Sequence, residues 1–168
     1  MSIYVFGYGS LINMRENKEL SVKNKRKICP VMVSGLKRSF NVITSSNTSA
    51  KYKVLGVKES TDKKKQCNGI LIEITESEEL VKLIKREKNY TPRQLSPERL
   101  SFPYKKHLSL NKADQIICFY PQSKYTLKKK EASELKIRPK YLQICLAGAR
   151  DFGEDFLKDF METTDGLI

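Results

Sequence analysis

The sequence predicts an α+β fold, built as a small closed or strongly bent mixed β-barrel with flanking helices. Three observations lead there. Short segments of β-branched and aromatic residues occupy much of the first 75 positions and recur at 116–120. A single amphipathic helix is signalled in the middle of the chain, and two more close it. Strands that run together, with helices inserted or terminal, favour α+β over a regular βαβ alternation. At 168 residues the chain fits one domain, 1–168, large enough to bury a core without disulfides.

Ile3-Tyr4-Val5-Phe6 reads as a strand stopped by Gly7. Ile28 to Val33 is a second, and Leu36 to Ile43 and Tyr52 to Val57 are weaker ones. Cys67 to Ile74 is strong, because Ile70, Ile72 and Ile74 alternate on one face. Thr75-Glu76-Ser77-Glu78 has capping-box spacing before an apolar-periodic run, which starts a helix near residue 76. That helix runs to about Lys88, and Pro92 forbids much more. Ile116 to Tyr120 is a further strand, ended by Pro121. Pro139 suits the first turn of a helix reaching about Ala147. Gly148 and Gly153 interrupt the chain beyond that helix, and Glu154 to Met161 makes the last one.

Composition removes several chemistries. Lys and Arg number 32 against 19 Asp and Glu, a net charge of +13. The basic clusters at 23–27, 63–65, 105–106 and 128–130 have weak periodicity and no zinc-finger, recognition-helix or RNA-binding aromatic signature around them. They read as solvated loops, and no specific nucleic-acid partner is expected. His107 is the one histidine, and no two cysteines have Cys-x-x-Cys spacing, so no metal site is expected. Cys29, Cys67, Cys118 and Cys145 sit in apolar surroundings and read as small core residues. No apolar run approaches the ~20 residues that span a bilayer, and the first residues do not form a secretion signal. A soluble cytoplasmic protein with no membrane partner is expected.

Two motifs in the first turn fail on inspection. Gly7-Tyr8-Gly9 begins a dinucleotide fingerprint, but Ile12 occupies the third glycine position and no acidic residue occurs between Lys23 and Glu59. Ser10 lacks the flanking glycines of a nucleophile elbow. The surviving reading is a strand running into a turn whose two glycines let successive amides converge on an anion. A plain tight turn would use the same residues.

Two side chains stand out on helical wheels. At about 100° per residue, Leu80, Leu83, Ile84 and Glu87 share one arc of the central helix. A carboxylate on that face is expected to be desolvated, with a raised pKa suited to proton transfer. The alternative is a frayed helix end with Glu87 turned to solvent or paired with Arg86 or Lys88. Tyr141 shares a stripe with Ile144, Cys145 and Gly148, so its hydroxyl must find a partner, either structural or a ligand.

Taken together, the segments resemble the γ-glutamylcyclotransferase family. Tyr4-Val5-Phe6-Gly7-Tyr8-Gly9-Ser10-Leu11-Ile12 resembles its N-terminal signature, in the Gly-Tyr-Gly-Ser-Leu-Ile form of ChaC-type members. Gly35-Leu36-Lys37-Arg38-Ser39-Phe40 resembles its Gly-Leu-x-Arg-x-Phe segment, and Gly69-Ile70-Leu71-Ile72 its central strand. Leu83 to Tyr90 matches the region of the catalytic glutamate, and Pro139 to Arg150 the closing helices. Asn13 stands where ChaC-type members favour tryptophan, and the closing helices look like the broader family.

The resemblance implies a cofactor-independent enzyme that turns a small-molecule γ-glutamyl amide into 5-oxoproline and a free amine. It assigns Glu87 as the acid–base residue. It assigns substrate binding to Gly7, Tyr8, Gly9, Ser10, Leu11, Ile12 and Tyr141. The loop from Glu98 to Lys112 is expected to shape the leaving-group pocket, and the reading leaves room for a homodimer. The competing readings are an inactive binding protein on the same fold and a weak nucleic-acid binder using the basic loops.

Overall fold

A computed structural model describes residues 1–45 and 50–167. In chain order the elements are β1 (Ile3–Gly7), β2 (Ile28–Ser34), β3 (Leu36–Ser45), β4 (Lys51–Glu59), β5 (Gln66–Ile74) and α1 (Ser77–Arg86). They continue with β6 (Tyr90–Gln94), β7 (Leu100–Ser101), β8 (Gln115–Pro121), α2 (Lys129–Glu134), α3 (Pro139–Asp151), α4 (Glu154–Glu162) and β9 (Thr164–Asp165). Two sheets form. The larger has the order β6-β8-β1-β5-β2-β7, and the smaller β4-β3-β9. The α+β expectation holds.

No sheet of the described residues closes into a barrel, which corrects the closed form of the expectation. The reason lies at Gly35. It has φ 72, the left-handed region open to glycine, and turns the chain sharply between β2 and β3. Its N–H donates to the Lys65 carbonyl at 2.7 Å and its carbonyl accepts from Ser60 at 2.9 Å. The strand path therefore leaves the larger sheet at this corner and starts the smaller one. The larger sheet keeps two edges. One edge strand carries Pro92, which has no N–H to offer a neighbour, and the other is two residues long.

β1 lies inside the larger sheet, antiparallel to β5 and parallel to β8. Tyr4, Val5 and Phe6 are all buried, as are Ile70, Leu71 and Ile72 on β5. Both faces are covered, so the alternation read from Ile70 and Ile72 understates the burial: Leu71, on the other face, is just as deep. Phe156 and Phe160 of α4 are fully buried in the same core. The four cysteines are buried and free, as expected.

α1 departs from the wheel in one respect. Leu83 is buried, but Ile84 is 39% exposed, so the apolar stripe is narrower than its spacing implied. Its first turn is secured by Glu79 rather than Glu78. The Glu79 carboxylate accepts from the amides of Ser21 and Thr75 at 2.6 and 3.0 Å and pairs with Arg26 at 2.6 Å. Burial alone would raise this carboxyl, but the hydrogen bonds from Arg26, Ser21 and Thr75 hold it down at about 2. The native value lies below the ~4.3 of an unfolded glutamate, so the pair's stabilisation is present above that pH and is lost as pH falls towards 2. Glu79→Gln, which strands a buried guanidinium, is expected to cost about 3 kcal/mol at neutral pH. Urea denaturation between pH 7 and 3 checks both points: the difference from wild type should shrink on acidification.

Candidate active site

The turn after β1 is shaped by close contacts. A Cβ on Gly7 would stand 2.9 Å from the Leu11 Cβ, and a Cβ on Gly69 would strike the Gly7 carbonyl. Gly7 is therefore a packing glycine. Beyond Tyr8 and Gly9 the chain makes a single 3₁₀ turn, Ser10–Ile12. The amides of Ile12 and Asn13 donate to the carbonyls of Gly9 and Ser10 at 3.1 Å. Such a turn leaves its leading amides, those of Ser10 and Leu11, without partners inside it. α3 packs on the turn's far side, where a Cβ on Gly148 would come within 2.7 Å of the Asn13 backbone. Asn13 answers by donating from Nδ2 to the Ile144 carbonyl at 3.0 Å.

Arg38, on β3, holds the turn from below. It is completely buried and is paired with no carboxylate among the described residues. Its guanidinium donates to the carbonyls of Tyr8, Asn68 and Phe160, to Asn68 Oδ1 and to the hydroxyls of Thr163 and Thr164, and it lies over the Phe160 ring. With the Tyr8 carbonyl directed at Arg38, the trans peptide directs the Gly9 N–H to the opposite side.

Glu87 sits where α1 ends. Its N–H closes the helix on the Leu83 carbonyl, and its own φ and ψ, −88° and 50°, leave helical space. The side chain is 16% exposed and lies 3.8 Å from Arg86 Nε. Burial pushes its carboxyl above the ordinary value; Arg86 opposes the shift and Glu19 adds to it. Arg86 does not fully compensate because its other nitrogens are engaged. They donate to Asn17 Oδ1, Glu19 Oε1 and Ser10 Oγ at 3.0, 2.8 and 3.2 Å. The same bonds tie the end of α1 to the turn.

Three tyrosines complete the site. Tyr8 donates its hydroxyl to the Phe119 carbonyl at 2.6 Å, and Tyr90 donates to the Leu55 carbonyl at 2.7 Å. Tyr141 reaches across from α3, so close that a Cβ on Gly9 would stand 2.6 Å from its hydroxyl. Burial pushes the Tyr141 hydroxyl well above its ordinary pKa, which makes ionisation still less accessible to a phenol already neutral at working pH.

Two adjoining hollows meet at these groups. A tight one of about 40 Å³ is lined by the Tyr8–Leu11 turn, Leu55, Glu87, Tyr90, Phe119 and Tyr141. A wider one of about 160 Å³ is lined by Val42, Thr44, Val54, residues 86–90, Arg138 and Tyr141. Glu87, Tyr90 and Tyr141 belong to both. The structure thus brings together Tyr8, Gly9, Ser10, Leu11, Glu87 and Tyr141. It leaves Gly7 and Ile12 behind the lining, Gly7 because it packs on Leu11 and Ile12 because its side chain is fully buried. The 98–112 loop does not border either hollow. Arg99 ties it to Glu59 and to the corner at Gly35 instead. Leu55, Tyr90 and Phe119 in the tight hollow, and Val42, Thr44, Val54, Arg138 and the neighbours of Glu87 in the wider one, are lining residues that sequence reasoning missed. Tyr90, three residues beyond Glu87, was the nearest to a signal.

The arrangement suits a substrate that presents an anion or a carbonyl to backbone amides while a protonatable carboxyl faces the reacting atoms. Among the described residues, no helix is long and apolar enough to cross a membrane.

No family model matches the chain, and no curated protein does. Solved structures do match. An uncharacterised human protein superposes with a TM-score of 0.65 at 14% identity, over 95% of this chain and 86% of the other. A γ-glutamyl cyclotransferase gives 0.63 at 11% identity, over 95% and 86%. A yeast γ-glutamyl cyclotransferase specific to glutathione gives 0.62 at 15% identity, over 99% and 96%. The chain has the γ-glutamylcyclotransferase-like fold.

Proposed function

We propose that the chain is a γ-glutamylcyclotransferase, converting a γ-glutamyl amide into 5-oxoproline and the released amine. The observation that carries this reading is Glu87, a desolvated carboxyl at the junction of two hollows, facing a turn with free leading amides.

The reaction needs no outside nucleophile. The substrate's own α-amine attacks its γ-carbonyl carbon, a C–N bond closes the five-membered ring, and the original amide C–N bond breaks. Folding the glutamyl group into the tight hollow supplies the near-attack geometry that intramolecular reactions exploit. Glu87 accepts the proton that the attacking amine sheds and delivers it to the departing nitrogen, so the carboxyl ends as it began. The Gly9–Leu11 amides hold either the glutamyl carboxylate or the oxygen that becomes negative as the carbonyl is attacked. Tyr141, a neutral phenol at working pH, donates a hydrogen bond that orients the same group.

The test is to incubate the pure protein with a panel of γ-glutamyl amides, glutathione and γ-glutamylalanine among them, and to measure 5-oxoproline by mass spectrometry. Formation from at least one, with release of the matching amine, supports the reading. No 5-oxoproline from any of them overturns it. Within that assay Tyr141→Phe keeps the ring and its packing. It is expected to raise KM by an amount corresponding to about 1 kcal/mol, the usual net value of one hydrogen bond.

A further inference from the structure

A second carboxylate competes with Glu87 for its nearest cation. Residues 17–26 run along α1 and grip both of its ends. At the first turn the Ser21 amide and the Arg26 guanidinium hold Glu79. At the last turn Arg86 Nη1 donates to Asn17 Oδ1 at 3.0 Å and to Glu19 Oε1 at 2.8 Å. The backbone that carries Glu19 is fixed on both sides. Asn17, buried before it, donates from Nδ2 to the Leu11 carbonyl at 2.8 Å. Leu20, buried after it, donates its N–H to the Asn17 carbonyl at 3.2 Å. Arg86 Nη2 is taken by Ser10 Oγ at 3.2 Å. Arg86 Nε remains, and at 3.8 Å from Glu87 Oε1 it is too far for a hydrogen bond. Two carboxylates thus face one guanidinium, and Glu19 holds it.

We infer that Glu19 is a positioning residue for catalysis: by holding Arg86 on its own carboxylate, it keeps that cation off Glu87 and leaves Glu87 able to take up and return a proton. This rests on the reaction proposed above. The balance of charge favours it. With Glu87 ionised, the Glu19, Arg86 and Glu87 side chains together carry one net negative charge; with Glu87 protonated they are neutral. Without the Glu19 charge, the neutral arrangement is Arg86 beside an ionised Glu87, which accepts a proton poorly, because a nearby opposite charge favours the charged form. Burial already raises the Glu87 carboxyl, with Arg86 opposing the shift and Glu19 adding to it. The other groups around Glu87 do not replace this control. Tyr8 of the turn, Tyr90 of β6 and Tyr141 of α3 are buried phenols, pushed still further from ionisation. Lys88 and Arg138 line the wider hollow with Glu87, but among the described residues neither has a carboxylate within salt-bridge distance.

The experiment follows the Glu87 carboxyl by carbon-13 NMR, in protein labelled at the glutamate side-chain carboxyls, with its signal assigned by loss in Glu87→Gln. Glu19→Gln keeps an oxygen for Arg86 and removes the charge. The pair is partly exposed, so the fold stands without it. In that variant the Glu87 midpoint is expected to fall by about one pH unit, and the acid limb of kcat/KM to move down with it. The plateau is expected to drop a few-fold, because a more acidic carboxyl is a weaker base. Glu19→Asp keeps the charge on a shorter stem and should give a smaller shift in the same direction. Glu16→Gln removes an exposed charge from the same stretch of chain and should give none. A Glu87 midpoint unchanged in Glu19→Gln, even with kcat/KM lowered evenly at every pH, makes Glu19 a mere tether; it overturns the assignment and leaves the reaction standing. A midpoint that falls, with no 5-oxoproline formed from any γ-glutamyl amide by wild type, retains the hold of Glu19 over the Glu87 proton and removes the reaction. An unchanged midpoint with no turnover removes both.

Discussion

Glu87→Gln is expected to slow 5-oxoproline formation by about 10²- to 10⁴-fold, the usual contribution of a positioned acid–base group. It is expected to do so without loss of stability. Glutamine keeps the shape of the side chain and cannot ionise. The native carboxyl titrates above its ordinary value because it is desolvated, so the folded protein holds that proton more tightly than the unfolded chain does. The stabilisation from this group is therefore complete below the unfolded pKa and is lost as pH rises through the native one. At neutral pH wild type bears the cost of a desolvated charge, and the glutamine variant does not. Thermal melts at pH 3.5 and pH 8 should show the variant equal to wild type in acid, below the unfolded pKa of about 4.3, and higher in base. The wild-type kcat/KM profile should have an acid limb centred above the ordinary carboxylate range. Wild-type turnover in the variant at saturating substrate would remove Glu87 from the chemistry.

Gly9→Ala is expected to produce the second large effect, also on activity rather than folding. The added methyl would stand 2.6 Å from the Tyr141 hydroxyl and at ordinary contact distance, 3.7 Å, from Leu55. The atom that must give way is the far end of one side chain, so the fold can absorb the change at a small cost. The proposed site cannot, because the displaced hydroxyl is the one assigned there to orient substrate and the methyl enters the tight hollow. A loss of kcat/KM of at least about a hundredfold is expected, in keeping with the penalty for small misplacements of positioning groups. Gly148→Ala makes the opposite case. Its methyl meets the backbone of Asn13 at 2.7 Å, where nothing flexible can move aside. That change should cost stability, about 1–3 kcal/mol as for other overpacked sites. Measuring kcat/KM and denaturation midpoint on both variants checks the contrast. A Gly9→Ala protein that melts early but turns over normally would reverse the assignment.

Glu87 was legible because it breaks a pattern. A carboxylate on an apolar helical stripe is an anomaly at period 3.6, and the structure places it at the junction of both hollows. The same rule at period two would have found Arg38. Leu36, Arg38 and Phe40 alternate on one face of β3, and all three are buried. A charge in that series is as anomalous as Glu87, yet the segment reads only as a weak strand. The long strands and the three longer helices were visible because each carries a full period of apolar residues. β6 was hidden by Pro92, which is tolerated only because the strand lies at a sheet edge. β7 and β9, two residues each, carry no period at all. Barrel closure was not legible, because a run of strands shows that sheet forms and not whether its edges meet or the chain divides into two sheets. Leu55 and Phe119 look like core residues, and only the tertiary fold brings them to the turn. Arg138, one basic residue among 32, had nothing local to distinguish it.

The guanidinium of Arg38 also sets an order of events. Its acceptors come from residues 8, 68, 160, 163 and 164, so a single side chain joins stretches of the polypeptide made early, midway and late in synthesis. A nascent chain that has reached residue 150 can pair β1 with β5, but it lacks three of the groups that hold this cation. Burying the charge at that stage would strand it in a low-dielectric interior, which is strongly disfavoured. The peptide that presents the Gly9 N–H therefore becomes rigid only after Thr164 arrives and β9 docks beside β3. Docking closes a loop of more than 100 residues, the kind of distant pairing that makes folding slow. Ligand-binding competence should accordingly be the last property the growing protein acquires, well after most of its secondary structure.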